Sequence, residues 1–440
     1  MKSWKAILAL AIPVAMQSVI RSMMNIFDQI MVGKLGAISV VSVGLATKIF
    51  FVLVFTMTGL TTGLSILSAQ LMGSNQSEKI SKIQGMSLFS GGIITLGFII
   101  LSTVFPEFCM KLFTSDIEVI HKGIIYHRAI ALGYIPFYIM IIYSSLLRNA
   151  KIVKLPMIIG IFGVALNTIL NYFLISKLGI FGAGIATSIS QYTSCILLLI
   201  LVYKRGLIGN SSIKQLIVFL KFDKDIKLYW IITLPILIEN FSFIATDSIS
   251  NSIYGHMGTQ QTIAVTIMYP IQGIVIGFFS GFSTASAVLV GNYLGNNEKD
   301  KAWNTSKKIL ILAIFAPLIL GGFYYIFNDL YLGLFNLNEY SFNMTKKVIG
   351  LMIFFLPIKI FNMTITNGAL SAGGQTKFVL YQSILGSWLF AVPLGYISAF
   401  VLKLPIYLVF VAISLEEILR ASLCFHKYMK KTWLNNLVKN

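Results

Sequence analysis

Five carboxylates fall inside stretches that are otherwise apolar: Asp28, Glu239, Asp247, Glu416 and Glu417. A charge at mid-bilayer costs about 3 kcal/mol or more, so an ionisable group there is a candidate for binding an ion or moving a proton. Asn167 and Asn171 lie at i and i+4 on one helical face. Their amide oxygens can coordinate a cation without adding charge, or bond between helices. Thr187 could add a hydroxyl. Four, eight and twelve residues after Pro13 come Gln17, Arg21 and Asn25; after Pro235 come Glu239, Phe243 and Asp247. Steps of four drift slowly around a helix, so each set forms a slanting stripe. Asp28 extends the first stripe, and Ser250 and Asn251 the second. Both stripes are expected to face a shared wet cavity. Phe243, Tyr134 and Tyr269 would offer aromatic faces to flat cations there. Structural readings stand beside these. Asp28 could pair with Arg21 two turns away, Glu416 with Arg420 one turn away, and Glu239 and Asp247 could bond between helices with one carboxyl protonated.

The elements that must position these groups are membrane helices. The 440 residues are 57% hydrophobic and 11% charged, and the mean hydropathy is +0.84. Runs of about 20 apolar residues, enough to cross a hydrocarbon layer, recur along the whole chain. Twelve are expected, at 6–31, 40–71, 83–105, 124–147, 155–176, 180–203, 228–254, 261–291, 308–327, 345–371, 378–402 and 404–426. The second and eighth exceed one straight upright span, so tilt or a glycine bend is expected. Lys2 and Lys5 precede the first apolar run as in a signal peptide, but the run continues through Pro13 and a polar stripe, and reads as a retained first helix.

With the N-terminus inside, the inner connections hold 22 Lys and Arg against 7 outside. This places both termini in the cytoplasm. The longest basic connection, 204–227, divides the spans six and six, and its apolar patch Leu216–Leu220 could lie on the membrane surface. A shift of 222 residues superposes the first two spans on the seventh and eighth. Pro13 then meets Pro235, Gly33 and Gly36 meet Gly255 and Gly258, and Asn75 meets Asn297. A shift of 223 matches "RNAKIVK" (148–154) to "SAGGQTK" (371–377). The matching residues are mostly those that fix backbone shape. The expected fold is therefore all-α and polytopic: two pseudo-symmetric six-helix bundles around a central cavity. An N-lobe (1–203), a basic linker (204–227), a C-lobe (228–427) and a cytoplasmic tail (428–440) make up the chain.

Several chemistries are excluded. The net charge of +19 is explained by basic cytoplasmic loops, and no basic stretch is interleaved with aromatics for nucleic acid. Cys109, Cys195 and Cys424 have no disulfide or metal spacing. No phosphate-binding loop, HExxH or GxSxG occurs. An enzyme is not expected, and transport would run on an ion gradient without a cofactor.

The chain resembles the MATE family of multidrug and toxin extrusion antiporters. "IPVAMQSVIRSMMNIFDQIMVGKLGA" is similar to the family's first-helix pattern, and "LLRNAKIVKLP" and "GALSAGGQTKF" to its repeated loop. "LNTILNYFLI", "LGIFGAGIATSISQ" and the ending "WLFAVPLG…LKLPIYLVF…LEEILRA" fit as well. The resemblance implies drug expulsion driven by H⁺ or Na⁺ entry. It assigns Asp28 to the coupling carboxylate, Asn167 to its amide partner and Thr187 to its hydroxyl, with Na⁺ at Asp28, Asn167 and Asn171 as the metal alternative. Asn171 stands where well-studied members carry Asp, Phe243 where many carry Glu, and Lys151 where the loop motif has glycine.

The expected function is a secondary antiporter of the bacterial cytoplasmic membrane. It would export cationic, partly aromatic drugs by alternating access of the two lobes. Its partners would be organic cations and membrane lipid, and it would act as a monomer. A lipid-linked oligosaccharide or polyprenyl-lipid flippase is the alternative, favoured by a basic cavity. A non-transporting sensor is the second alternative, disfavoured by the repeat.

Overall fold

A computed structural model of the chain describes residues 2–207, 223–333, 335 and 337–439. The patch Leu216–Leu220 and most of the basic linker lie outside the described residues, as does the side chain of Asn25. The helices in order are α1 (Lys2–Gly33), α2 (Ala37–Gly73), α3 (Ser77–Val104), α4 (Pro106–Lys111), α5 (Ile117–Ala131), α6 (Tyr134–Asn149) and α7 (Lys154–Lys204). They continue with α8 (Lys224–His256), α9 (Thr259–Gly295), α10 (Lys299–Leu332), α11 (Glu339–Thr364), α12 (Thr376–Gly386), α13 (Val392–Tyr396) and α14 (Ile406–Met429).

Nine described helical segments are long and apolar enough to cross a bilayer, and α5 with α6, bent by 49°, forms a tenth span. The 51 residues of α7 are two spans in one, broken at Gly179, whose φ of 59° and ψ of −136° leave the helical region. The last span is α14, with 24 residues. Its Glu416, Glu417 and Arg420 put three charges close together within the span. Twelve membrane-length segments thus occur among the described residues, and the chain is a multi-pass helical membrane protein. The second and eighth spans, where tilt or a glycine bend is expected, are each one helix without a break. Both α2 and α9 run 37 residues unbroken, about 55 Å at 1.5 Å per residue, so their ends project beyond the hydrocarbon.

The internal repeat is written in the turns. Gly36 and Gly258 precede α2 and α9 with φ of 97° and 108°, a region that suits only residues without Cβ. Asn75 and Asn297 follow those helices at φ 57° and 59°, and Lys151 and Gly374 match at 63° and 78°.

Contacts divide the chain into two compact units, one of Met16–Thr233 and one of Met1–Ala15 with Leu234–Asn440. This differs from the expected lobe boundaries at 203 and 228. The opening turns of α1 and α8 are exchanged between the halves. In the first unit, α2 forms the centre, with Leu53, Leu60, Leu64 and Leu67 fully buried. Thr233 packs where Gly63 lacks a side chain, and Ser87 donates to the buried Tyr229 hydroxyl at 2.9 Å. In the second unit, the Ala11 carbonyl and Ala15 pack where Gly281 lacks one.

The stretch that follows α14, expected as a cytoplasmic tail, packs into the second unit. Trp433 is fully buried in a cluster with Cys424, Tyr428 and Leu434. Its indole donates to the Tyr428 carbonyl at 3.0 Å, and its backbone carbonyl packs on Gly373. Asn436 donates to the Gly295 carbonyl and the Asn297 side chain, both at 3.0 Å. The tail is part of the second unit's core.

Candidate functional site

The first unit encloses a cavity of about 600 Å³, within the range of drug-sized sites. Gln17, Arg21 and Asp28 reach it from α1, Thr47 and Phe50 from α2, Arg148 from α6, and Asn167 and Thr187 from the two halves of α7. Asn171 lies one turn beyond Asn167 and is buried behind the wall. Its amide nitrogen donates to Asp28 Oδ1 at 2.7 Å. With the Asn167 amide oriented to satisfy both its groups, its nitrogen donates to the same oxygen at 2.9 Å and its oxygen accepts from the Thr187 hydroxyl and backbone at 3.2 Å. The i, i+4 spacing and the break at Gly179 together bring Asp28, Asn167, Asn171 and Thr187 into one cluster.

Two features of this cluster bear on chemistry. The partner of Asp28 is an amide, and no ion pair with Arg21 occurs among the described residues. The Asn171 carbonyl oxygen is buried with no hydrogen-bond partner, an arrangement that costs about 1–3 kcal/mol until a donor or a cation reaches it. No group of three or more His, Cys, Asp or Glu side chains placed to hold a metal occurs among the described residues. A cation here would be held by one carboxylate and neutral oxygens.

Gln17 lines the cavity and donates to the Pro156 carbonyl at 3.4 Å. Tyr134 does not line it. It is fully buried, stacks on Phe50 at 5.4 Å and bonds Ser102 at 3.4 Å, which makes it a packing residue. Arg148, counted from sequence among the loop bases, is a charged wall residue that sequence reasoning missed. It sits in the last turn of α6, and its signal was only its position at a span end.

The second unit holds a smaller cavity of about 110 Å³, lined by Phe243, Asp247, Tyr269, Lys359, Glu416 and Glu417 among others. Asn251 links two of them: it donates to Asp247 Oδ2 at 3.0 Å and accepts from the Tyr269 hydroxyl at 2.7 Å. Glu417 accepts from Asn362 at 2.6 Å and lies 3.9 Å from Lys359. Glu416 lies 3.9 Å from Arg420, the pairing its spacing allowed. Glu239 stands off this wall, between Ser383 and Arg420. A π-helical turn at Ser387–Ala391 follows α12 and sets both of its end residues on the wall. Such turns recur at functional sites. Lys359, Glu416 and Glu417 were visible in the sequence as charges within spans but had no stripe to tie them to Asp247.

A helical membrane protein with a drug-sized cavity inside one unit has an architecture suited to transport. The sequence profile of the MatE family matches residues 13–173 and 235–397, two stretches that start on the two repeated prolines, and the chain belongs to this family. It is 23% identical to the probable multidrug resistance protein NorM of Thermotoga maritima, over 98% of this chain and 93% of that one. An uncharacterized transporter of Bacillus subtilis, YisQ, is 22% identical over 98% and 95%. In structure, a MOP-superfamily transporter from Pyrococcus furiosus superposes with a TM-score of 0.90 at 21% identity, covering 98% of this chain and 96% of that one. The family is one of transporters and supports drug efflux.

Proposed function

We propose that this chain is a secondary antiporter of the bacterial cytoplasmic membrane, both termini inside, acting as a monomer without a cofactor. It exports amphiphilic drugs bearing a cationic, partly aromatic group in exchange for H⁺ or Na⁺, by alternating access of its two lobes. The observation that carries this reading is Asp28: a cavity-wall carboxylate bonded to Asn171 at 2.7 Å, with no ion pair among the described residues. A proton entering on Asp28 discharges it and lets the Asn171 amide turn its orphan oxygen toward the new donor. Na⁺ would instead gather oxygens of Asp28, Asn167, Asn171 and Thr187. With Asn171 in place of a second carboxylate the cluster carries one charge, which favours H⁺. The drug cation has its partners in Asp247, with Asn251 holding that carboxylate and Phe243 and Tyr269 supplying ring faces. Gln17 continues the polar stripe of α1 along the first cavity.

One cation entering across ~100 mV releases about 2.3 kcal/mol, and a tenfold gradient costs about 1.4 kcal/mol. A single entering charge therefore sustains roughly a 40-fold gradient of a neutral substrate. One-for-one exchange with a monovalent drug moves no net charge and runs on the ion's own concentration gradient. The test is drug uptake into inside-out vesicles with pH and Na⁺ gradients clamped separately. Wild-type protein is expected to follow the pH gradient, and Asp28→Asn to insert normally and not transport. Uptake by Asp28→Asn at the wild-type rate would remove Asp28 from coupling; uptake that follows Na⁺ alone at equal pH would reject H⁺.

A further inference from the structure

Arg21 and Arg148 are the two cations on the wall of the first unit's cavity, and Asp28 is its one carboxylate. Neither arginine forms an ion pair among the described residues, and Arg148 lies within electrostatic reach of the like charge on Arg21. Asp28 is already committed to the Asn171 amide. The other polar groups on the wall are neutral amides and hydroxyls. A guanidinium at the end of α6 gains from the helix C-terminus. Arg21 has no such support, since it sits twelve residues from the end of α1, and it opens onto the cavity. A mid-span charge is expensive to keep without a partner. Two guanidinium forks on one apolar, aromatic-walled cavity are the arrangement that recognises a carboxylate, sulfonate or phosphate in bidentate fashion.

We propose that the Arg21–Arg148 pair forms a subsite for the anionic group of a drug-sized amphiphile, so that zwitterionic and anionic aromatic compounds are substrates alongside organic cations. This names a substrate class within the transport reading but rests on binding alone, and it holds whether or not Asp28 couples the transport. The cavity's volume, about 600 Å³, suits one soluble ligand of drug size, and the arginines line it together with Asp28, Asn167 and Thr187. The same fork chemistry would also take a lipid phosphate, and the experiment separates the two.

The test uses two dyes with one ring system: rhodamine 110, which carries a free carboxylate, and rhodamine 123, its methyl ester. Binding is read by fluorescence anisotropy on the full chain in phosphatidylcholine nanodiscs, without any gradient. Arg21→Gln with Arg148→Gln is expected to weaken rhodamine 110 about tenfold and to leave rhodamine 123 within twofold. Arg21→Lys with Arg148→Lys, which keeps the charge and loses the fork, is expected to fall between. Equal loss of both dyes, or no loss of either, overturns the proposal, and an unfolded variant is recognised by its melting curve and replaced by the lysine pair. Adding phosphatidylglycerol is expected to leave the dye difference in place. Its disappearance would assign the arginines to a lipid headgroup and overturn the drug-sized occupant. Asp28→Asn is expected to bind rhodamine 110 without transporting it, so that loss of coupling and loss of the anion subsite are read separately.

Discussion

In the first unit the cavity wall sets Arg21 and Arg148 against Asp28; in the second it sets Asp247, Glu416 and Glu417 against Lys359. The helices that carry these walls turn through matched backbone angles, with Gly36 and Gly258 near φ 100° and Asn75 and Asn297 near 58°. The repeated scaffold is held by glycine, asparagine and proline at turns, and the charge is set by side chains that the turns do not constrain. The two cavities have therefore taken opposite polarity on one architecture. They also differ in regularity. Segments of π-helix occur in the second half at Ile365–Leu370, Ser387–Ala391 and Ile397–Val401, while the first half shows none among the described residues.

The largest expected effect tests whether the halves are stabilised alike. Trp433→Ala is expected to cost about 3–5 kcal/mol, as for a buried aromatic truncated to alanine, and to loosen the second half first. A thiol-reactive dye during heating checks it, since Cys424 lies in the Trp433 cluster while Cys109 and Cys195 are buried in the first half. Cys424 should react at a lower temperature with the other two unmoved. A common shift of all three would mean that the halves melt as one.

Next in size is the polarity itself. Asp247→Asn is expected to weaken rhodamine 123 about tenfold, the loss of one charge-assisted contact, while Glu239→Gln, off the wall, has a smaller effect. Equal losses would spread the cation's partners beyond the cavity and blunt the contrast. A smaller effect probes the shared backbone. Lys151 holds φ 63°, which costs a side chain about 1 kcal/mol relative to glycine. Lys151→Gly should raise stability by about that amount. Gly374→Lys should lower stability by more, because a Cβ there meets Leu437 at 2.7 Å. Melting curves of the two reciprocal variants decide it; a loss on Lys151→Gly would break the backbone equivalence.

The smallest effect is expected at the surface. The Lys111 ammonium, 2.7 Å from Glu107, holds that carboxyl below its ordinary range. A lowered carboxylate stabilises above its unfolded pKa and loses that contribution as pH falls through the folded value. Both groups are exposed and screened, so Glu107→Gln should leave the melting midpoint at neutral pH unchanged. A measurable drop would give exposed pairs a share in the difference between halves.

Much of this was legible in the chain. Apolar runs mark the twelve spans because lipid leaves a helix no other way to satisfy its backbone. The repeat showed at Pro13 and Pro235 because the residues the two halves share are mostly ones that fix backbone shape. Asn167 and Asn171 announced a shared face through their spacing, and Asp28 through its apolar surroundings. Arg148 hid because a base at a span end reads as a loop charge. Tyr134 misled because nothing in its neighbours distinguishes a cavity wall from a packed core. The exchange of the first turns of α1 and α8 rests on small residues, Gly63 and Gly281, whose partners lie far off in sequence. The π turns leave no periodicity of their own.

The seat of Trp433 has a consequence for the order in which the second half is assembled. Synthesis runs from the N-terminus, and early segments fold first, so the indole that fills the cluster around Cys424 and Tyr428 arrives only after α8 to α14 have all been made. The second half stays unsealed until residue 433 is in place. A chain stopped before that point would leave open an apolar pocket and the bare backbone of Gly373, the kind of surface on which unfinished chains stick to one another.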